Sequence, residues 1–297
     1  MRVFITGISG FIGNRLCQRL SDEGVECAGL SRRSPSSALH AAHWTRADCT
    51  DFEAVSGALD AFEPDVIVHC AMASGHPQSA PERTEALRTG VLGTASIVDA
   101  AMHYGRARLV HAGSFLVYEP SNRPLQESSP LRPLTTRGVA KAGAELVVQQ
   151  AAATSALHAI VLRIFSVYGP GEAAQRFIPT LIRSLRSDAP MSLTPWPRRD
   201  FVHVDDVVSA ITRAMRIAAP SGSVFNVGSG QSHSNAEVVE LAEAASGRRL
   251  RTTGSHPTSP VDSQLWLADL ALTNRVLGWS PAISLAQGLT AMYQAPA

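Results

Sequence analysis

A glycine-rich turn near the start of the chain separates an apolar run from an amphipathic stretch. Gly7, Gly10 and Gly13 recur there at intervals of three residues. Glycines in this pattern permit a tight turn, admit a pyrophosphate close to the backbone and let the following helix pack against the strand. The helix N-terminus attracts the anion. The pattern predicts a dinucleotide-binding turn rather than an ordinary glycine-rich turn, with contacts from Gly7, Ser9, Gly10, Phe11, Ile12 and Gly13.

The end of the second apolar run carries two guanidinium groups. Ser31, Arg32 and Arg33 stand there, where NAD-selective folds usually place an acid that bonds the ribose 2′-hydroxyl. Arginine is well suited to a 2′-phosphate dianion. The sequence therefore predicts a preference for NADP(H), with NAD(H) as the alternative. A solvated basic loop is the other interpretation of the two arginines.

Strand-like and helix-like segments alternate through the first half of the chain. The strand-like runs lack polar alternation, which is typical of strands buried on both faces of a parallel sheet. Their alternation with helices predicts a doubly wound parallel α/β sheet, the Rossmann fold. The predicted strands span residues 3–5, 26–30, 66–70, 109–112 and 160–164, and the predicted helices span residues 14–23, 84–103 and 136–153.

The pattern changes after residue 171, where proline becomes frequent and two helix-like stretches follow at residues 205–217 and 235–245. We expect two domains. Residues 1–168 form the dinucleotide-binding Rossmann domain, to which residues 200–228 return. Residues 169–199 and 229–297 form a smaller domain that binds the substrate.

The composition suits a soluble globular protein. The chain has 297 residues, of which 45% are hydrophobic and 17% are charged, with a net charge of +1. We expect no nucleic-acid or membrane partner and no metal site, because no charge excess or membrane-length apolar run is present. A strand-like run with no leader ahead of it favours a cytoplasmic protein. Without CxxC spacing, reduced cysteines are expected at Cys17, Cys27, Cys49 and Cys70.

Six segments resemble, in order, motifs of the extended short-chain dehydrogenases/reductases of the NAD-dependent epimerase/dehydratase type. They are residues 6–13, 47–51, 64–71, 199–207, 225–230 and 277–281. Members typically move a hydride between NAD(P) and a hydroxyl or ketone, often on a nucleotide-linked sugar. The resemblance implies further cofactor contacts at Asp48, Cys49, Cys70, Ala71, Met72, Lys141 and Phe165.

The catalytic machinery that the resemblance implies is a Ser or Thr with a Tyr-x-x-x-Lys motif. The tyrosine acts as general acid and base, the lysine lowers its pKa and holds the nicotinamide ribose, and the serine bonds the reacting oxygen. Ser114 matches, four residues before Tyr118, and so does Lys141. Lys141 is the only lysine, while the other 25 residues of the 26 Lys and Arg are arginines. A compact ammonium can bridge two ribose hydroxyls in a way that a guanidinium cannot.

Arg137 replaces the tyrosine of that motif, and Gly90 stands where the family often has an asparagine. Arginine stays protonated and cannot donate a proton at neutral pH. An inward Arg137 would stabilise an anionic group, whereas an outward one would leave the site without an acid. Candidates for a replacement acid are water and four side chains: His76, Glu119, Thr135 and Thr136.

The substrate side also departs from the family pattern. Ser166 stands where an asparagine often contacts the diphosphate of a nucleotide sugar, and residues 257–262 lack the usual second arginine. Arg199 keeps a phosphate-facing position, and His76 lies in a loop that borders the substrate in the family. We expect substrate contacts at His76, Ser114, Ser166 and Arg199. The substrate is either not a standard nucleotide sugar or a nucleotide sugar held differently.

Two classes of function follow. The first is an NAD(P)-dependent oxidoreductase or epimerase/dehydratase-type enzyme, acting on a hydroxyl or keto group of a sugar-like or secondary-metabolite substrate through a non-standard site. The second is the same fold with a structural dinucleotide, used for cyclisation, isomerisation or ligand binding. The retained Ser114 and Lys141 favour the first, and the missing tyrosine favours the second. A homodimer is one assembly consistent with either.

Overall fold

Each of the five predicted apolar runs forms a strand in the computed structural model, which describes residues 1–33, 43–73, 75, 77–255, 262 and 265–295. The strands are β1 (Arg2–Thr6), β2 (Glu26–Ser31), β3 (His43–Arg46), β4 (Val66–His69), β5 (Arg108–Ala112), β6 (Ala159–Ile164), β7 (Ser166–Tyr168), β8 (Arg198–His203), β9 (Ser223–Val227) and β10 (Ser232–Ser234). The α-helices are α1 (Phe11–Asp22), α2 (Phe52–Phe62), α3 (Ala80–Leu87), α4 (Gly93–Tyr104), α5 (Thr136–Thr154), α6 (Phe177–Ser187), α7 (Val204–Ala214), α8 (Asn235–Ser246) and α9 (Leu285–Gln294).

Seven strands form one sheet in the order β3-β2-β1-β4-β5-β6-β9. The pairings from β3 through β6 are parallel. The chain proceeds from β1 outward to β3 and then crosses to place β4 on the other side of β1. Such a reversal leaves a crevice at the carboxyl ends of the two central strands, where open α/β sheets bind ligands. The predicted doubly wound α/β fold is confirmed.

The chain divides into two compact units. The first comprises Met1–Glu119, Pro130–Arg163 and Val208–Phe225, and the second comprises Pro120–Ser129, Ile164–Val207 and Asn226–Ala297. The return to the first unit is therefore shorter than the predicted 200–228, and residues 164–168 group with the second unit instead of the first.

The core of the first unit lies between the strands and the helices α2, α4 and α5. Phe4, Ile67, Leu109 and Val161 from neighbouring strands belong to one buried cluster with side chains of these helices. Burying such a side chain stabilises a fold by about 1.5–3 kcal/mol. The cluster holds one face of the sheet against these helices.

A three-stranded sheet, in the order β10-β8-β7, lies in the second unit. Asp200 on β8 is fully buried, and its carboxylate accepts hydrogen bonds from the backbone of Ser229, Gly230 and Ala268. Burial raises the pKa of Asp200 although these bonds oppose the shift. The carboxylate ties two loop segments of this unit, one at residues 229–230 and one at Ala268, to β8. Residues 199–207, one of the segments that resemble the family motifs, therefore have a structural role.

The predicted helix 84–103 is divided in the structure into α3, a π-helical segment (Arg88–Leu92) and α4. The division coincides with two glycines that allow close packing. A Cβ on Gly90 would lie 2.8 Å from the Cβ of Ala140, and one on Gly93 would lie 2.6 Å from the Sγ of Cys49. Helix α3 also begins earlier than predicted, because Ser79 and Glu82 form a capping box.

Candidate active site

The glycine turn connects β1 to α1 and requires its glycines. Gly7 has φ +69°, in the left-handed region, and a Cβ there would lie 2.9 Å from the backbone of Ala71. A Cβ on Gly13 would collide with the carbonyl oxygen of Gly7. The turn and α1 are therefore held closely together at the carboxyl end of β1.

The turn fits an anionic pyrophosphate. Gly10 is the N-cap residue of α1, and it supplies no side-chain hydrogen bond to the helix. The first turn of α1 holds no acidic residue. The free N–H groups and the positive end of the helix dipole therefore meet no anion from the side chains of α1 itself. Ser9, Phe11 and Ile12, for which the sequence predicts cofactor contacts, lie in this segment.

Arg32, after β2, lies within a network of charges. Its guanidinium bonds Glu85 at 2.5 Å and lies 3.8 Å from Asp48. Arg88 bonds the same two carboxylates, at 2.8 and 2.7 Å. The hydrogen bond from Arg88 is the largest of several contributions that lower the pKa of Glu85 to about 2. Arg32 and Arg33 are both exposed.

Sequence reasoning missed Glu85 and Arg88, because it considered only the residues that end β2. The i,i+3 spacing of Glu85 and Arg88 indicated a helix-surface pair, but not that Arg32 would join it. Ser31 is buried, and its hydroxyl accepts a hydrogen bond from the indole of Trp44 at 2.9 Å.

The other predicted cofactor residues lie in different places. Asp48 bonds Thr50 and Arg88, and these bonds lower its pKa although burial opposes the shift. The backbone N–H groups of Cys70 and Ala71, after β4, donate to the carbonyl and hydroxyl oxygens of Thr6. Burial raises the thiol pKa of Cys49 to about 11 and that of Cys70 to about 12. Met72 comes directly after Ala71 in the chain. Phe165 is buried and belongs to the second unit.

Lys141 is buried on α5, with 6% of its surface exposed. Its Nζ donates a hydrogen bond to the carbonyl oxygen of Ala112, the last residue of β5, at 2.5 Å. Burial, and next the positive charge of Arg137, lower its pKa to about 8. Lys141 therefore has an ammonium group that can lose its proton near neutral pH.

Ser114 and Arg137 flank this lysine in the first unit. Ser114 lies two residues after Ala112, is half-buried, and its Oγ accepts a hydrogen bond from the N–H of Leu116 at 3.2 Å. Arg137 is half-buried in the first turn of α5 and lies near enough to Lys141 to affect its pKa. Thr135 is the N-cap of α5, where its Oγ1 accepts from the N–H of Gly138 at 3.0 Å; Thr136 is the first helical residue.

Tyr118, the tyrosine nearest Ser114 in sequence, is fully buried. The guanidinium of Arg163 lies 4.6 Å from its ring centroid, and Arg163 also bonds Glu145 in a buried ion pair. Glu119 pairs with Arg132 at 2.9 Å and is 39% exposed. His76 lies outside the described residues. Tyr118 is thus part of the interior of the unit.

A chain of polar side chains crosses the carboxyl ends of β1 and β4. The hydroxyl of Thr94 donates to the carbonyl of Gly90 at 2.6 Å and lies 3.0 Å from Nε2 of His69. Nδ1 of His69 lies 2.6 Å from the hydroxyl of Thr6. Since Thr94 uses its proton on Gly90, His69 donates through Nε2 and accepts through Nδ1, as a neutral ring. Burial lowers its pKa to about 3.

Two arginine–carboxylate pairs lie in the second unit. Arg199 bonds Asp262 at 2.6 Å and is 20% exposed. Arg176 lies 3.5 Å from Glu172, whose pKa burial raises to about 7. Ser166 begins β7 opposite Phe201 of β8. Arg199 is therefore engaged by a carboxylate that sequence reasoning did not pair with it.

Comparison with known proteins establishes the family. The model of the NAD dependent epimerase/dehydratase family matches residues 3–228. The chain belongs to this family. It is therefore an NAD-dependent enzyme of the oxidoreductase, epimerase or dehydratase type, as the motif resemblance predicted. Among the residues that the structure describes, no helix is both long enough and apolar enough to cross a membrane.

Proteins similar to this chain have names that refer to different reactions. The chain is 30% identical to the UDP-glucose 4-epimerase of Mycolicibacterium smegmatis, over 97% of this chain and 96% of that protein. It is 31% identical to the 3-diazoavenalumate denitrifying reductase of a Streptomyces species, over 94% of this chain and 88% of that protein. The chain is also similar to a solved structure, MoeE5 in complex with UDP-glucuronic acid and NAD. The two are 30% identical, superpose with a TM-score of 0.89, and match over 97% of this chain and 96% of MoeE5.

Proposed function

We propose that this protein catalyses a redox step at a hydroxyl or keto carbon of a nucleotide-linked sugar or a similar metabolite. The observation that carries the proposal is the position of the buried Lys141. Its Nζ bonds the carbonyl oxygen of Ala112, the last residue of β5, which lies two residues before Ser114. Both residues belong to the unit that contains the glycine turn. A bound nicotinamide would supply the hydride acceptor and donor.

Each residue of this site has a distinct role in the proposal. The backbone of residues 7–13 binds the pyrophosphate, and Lys141 holds the nicotinamide ribose through one N–H bond that is not directed at Ala112. Ser114 orients the reacting oxygen, and Arg137 stabilises negative charge that develops there. Arg137 stays protonated, so Lys141, with a pKa of about 8, is the group best suited to hold and release the proton at Nζ.

Cofactor preference depends on the surroundings of Arg32. A preference for NADP(H) stays a prediction from Arg32 and Arg33. The carboxylates of Glu85 and Asp48 beside Arg32 favour NAD(H), because they would repel a 2′-phosphate and could accept from a 2′-hydroxyl. Calorimetry with both cofactors decides between them. If NADP(H) is preferred, Arg32→Ala must weaken its binding; if NAD(H) is preferred, Glu85→Gln must reduce the preference.

The substrate class depends on Arg199. A nucleotide sugar would need its diphosphate charge met, and Asp262 already bonds this guanidinium. The names of two relatives contain a UDP-sugar, and that of a third contains 3-diazoavenalumate. We favour the nucleotide-linked sugar, with Asp262 displaced by the phosphate. Asp262→Asn should then tighten UDP-sugar binding, whereas a substrate without phosphate would be insensitive to it.

The decisive experiment tests for transient redox change. The purified protein is incubated with UDP-glucose, UDP-glucuronic acid and dTDP-glucose, each deuterated at C4, and the products and the nicotinamide are analysed by mass spectrometry. We expect deuterium on the nicotinamide in samples quenched during turnover, and no such deuterium in Lys141→Ala and Lys141→Arg. His103→Gln, at the exposed end of α4, is the matched control. Product formed with no deuterium transfer, or activity kept in Lys141→Ala, would overturn the proposal.

The second candidate is non-redox chemistry around a structural dinucleotide. It is favoured by the absence of a tyrosine four residues before Lys141 and by the burial of Tyr118 against Arg163. In that case an isomerised or cyclised product forms while no deuterium appears on the nicotinamide in the quenched samples. The same experiment therefore separates the two candidates.

We propose further that the protein is a homodimer in solution. Leu87, Leu92, Val139 and Leu146 lie on α3, the π-helical segment and α5, and are 38% to 61% exposed. Exposed apolar side chains on neighbouring elements often mark an interface. Light scattering should give twice the chain mass for the wild type and the chain mass for Leu92→Glu with Leu146→Glu. A monomeric wild type would disprove the dimer.

A further inference from the structure

His111 on β5 is a buried histidine that the proposed roles leave unused. It is 1% exposed, and neither ring nitrogen has a hydrogen-bond partner among the described residues. Buried polar atoms are nearly always hydrogen-bonded in native proteins, so each such atom calls for a partner. The position of His111 next to the carboxyl end of β5 places that partner close to the site.

The groups around His111 narrow the choice of partner. His69 lies beside it on β4, with ring centroids 5.2 Å apart, but both nitrogens of His69 are already bonded. The Cys70 thiol follows directly after β4, and burial raises the pKa of that thiol. On α5, Arg137 lies one turn before Lys141, and Glu145 lies one turn after it. The carboxylate of Glu145 is already bound in an ion pair with Arg163 on β6.

Lys141 remains as the group with N–H bonds to donate. Its Nζ bonds the carbonyl of Ala112, the residue after His111, and it has two further N–H bonds. The charge of Lys141 acts on His111: burial first, and next this ammonium, keep the pKa of His111 well below its usual value. His111 is thus a neutral ring, and a neutral ring offers one nitrogen as an acceptor.

We propose that His111 is a positioning residue that accepts a hydrogen bond from the Lys141 ammonium, relayed by a bridging water. Such a water needs two to four polar partners, and the ring of His111, the ammonium of Lys141 and the carbonyl oxygen of Ala112 are polar groups at the end of β5 that would supply them. His111 would then hold Nζ at the end of β5 and favour its protonated form against burial and against Arg137. The catalytic meaning of this contact rests on the proposed function, but the contact itself does not.

The presence of a single lysine makes the test direct. Protein labelled with ¹³C-lysine gives one Cε signal, and its shift against pH reports the pKa of Lys141. In His111→Phe the acceptor is lost, so we expect the pKa to fall by about 0.5 to 1 unit, which is a three- to tenfold change in the acid constant. His111→Gln keeps an acceptor and should restore most of the shift. His103→Phe, on the exposed end of α4, should leave it unchanged.

Three results would overturn the proposal: an unchanged Lys141 pKa in His111→Phe, a raised one, or His111→Gln behaving like His111→Phe. If His111→Phe does not fold, ¹⁵N-histidine spectra of the wild type decide. The ring signal absent from His111→Gln must show a neutral ring with one nitrogen accepting a hydrogen bond. In an active enzyme, the pH profile of kcat should move with the Lys141 pKa while KM changes little. An inactive protein would refute the proposed function and leave the lysine titration interpretable.

Discussion

Replacement of Arg137 by glutamine tests which way its guanidinium faces. The structure places Arg137 one helical turn before Lys141, and its charge is the second cause, after burial, that lowers the pKa of Lys141 to about 8. Glutamine removes the charge and keeps a polar end on a shorter side chain. We therefore expect the pKa of Lys141 to rise in Arg137→Gln, while burial keeps it below its usual value.

The size of the rise follows from Coulomb's law. Residues four apart on a helix have Cβ atoms about 6 Å apart, so we take about 7 Å between the two charges. With an effective dielectric constant of about 20, the repulsion is roughly 2.4 kcal/mol, or about 1.7 pKa units. Arg137 is only half-buried, so solvent screens part of this. We expect a rise of about 0.5 to 1.5 units.

The single Cε signal of ¹³C-lysine protein measures this rise directly. Arg132→Gln is the matched control, because it removes a more exposed arginine charge from the loop before α5. An unchanged Lys141 pKa in Arg137→Gln would mean that the guanidinium faces away from the site, and the role of Arg137 as an electrostatic stabiliser would fall. A rise of the same size in Arg132→Gln would mean that the effect is one of overall charge.

Three further predictions concern the fold around the site. Gly13→Ala should abolish dinucleotide binding, measured by calorimetry, because its Cβ would collide with the carbonyl of Gly7; Gly57→Ala, where a Cβ has open space on α2, should bind normally. Glu145→Gln should lower the free energy of unfolding in urea by roughly 3–5 kcal/mol, because it leaves Arg163 buried without its charge partner; a loss below about 1 kcal/mol would contradict this. The folded pKa of His69, about 3, lies below its unfolded value of 6.5, so the unfolded chain binds the proton first and stability should fall as the pH drops from about 6.5 toward 3. His69→Gln should reduce that slope in urea titrations, and an identical slope would refute the assignment.

Local sequence signals were sufficient for the parts of the fold that depend on local pattern. The strand β4, the turn around Gly7 and the helix α5 follow from an apolar run, glycine spacing and an alanine-rich helix-like stretch. The π-helical segment did not, because it depends on how Gly90 meets Ala140, 50 residues later in the chain. Contacts of this kind have no signature in either segment alone.

The candidate site shows the same division. The motif order predicted that Ser114 and Lys141 belong together, and both lie by the end of β5. The pairing of Arg32 with Glu85 joins residues 53 apart, and neither end of the pair indicates the other. The surroundings of His111 depend on its neighbours on β4 and α5. The apolar run around it predicts a buried strand, but not that its imidazole lies beside His69 and near the charge of Lys141.

The use of one lysine among 25 arginines has a physical explanation in this site. A guanidinium stays charged in proteins, so burying one requires a carboxylate, as Arg163 has in Glu145. Lys141 is about as buried as Arg163. Within the described part of the chain, however, its Nζ bonds only the neutral carbonyl of Ala112, and burial lowers its pKa to about 8. An arginine there would remain a full charge without a counterion beside Arg137. The position therefore needs a cation that can give up its proton, and lysine is the basic side chain that does so when buried.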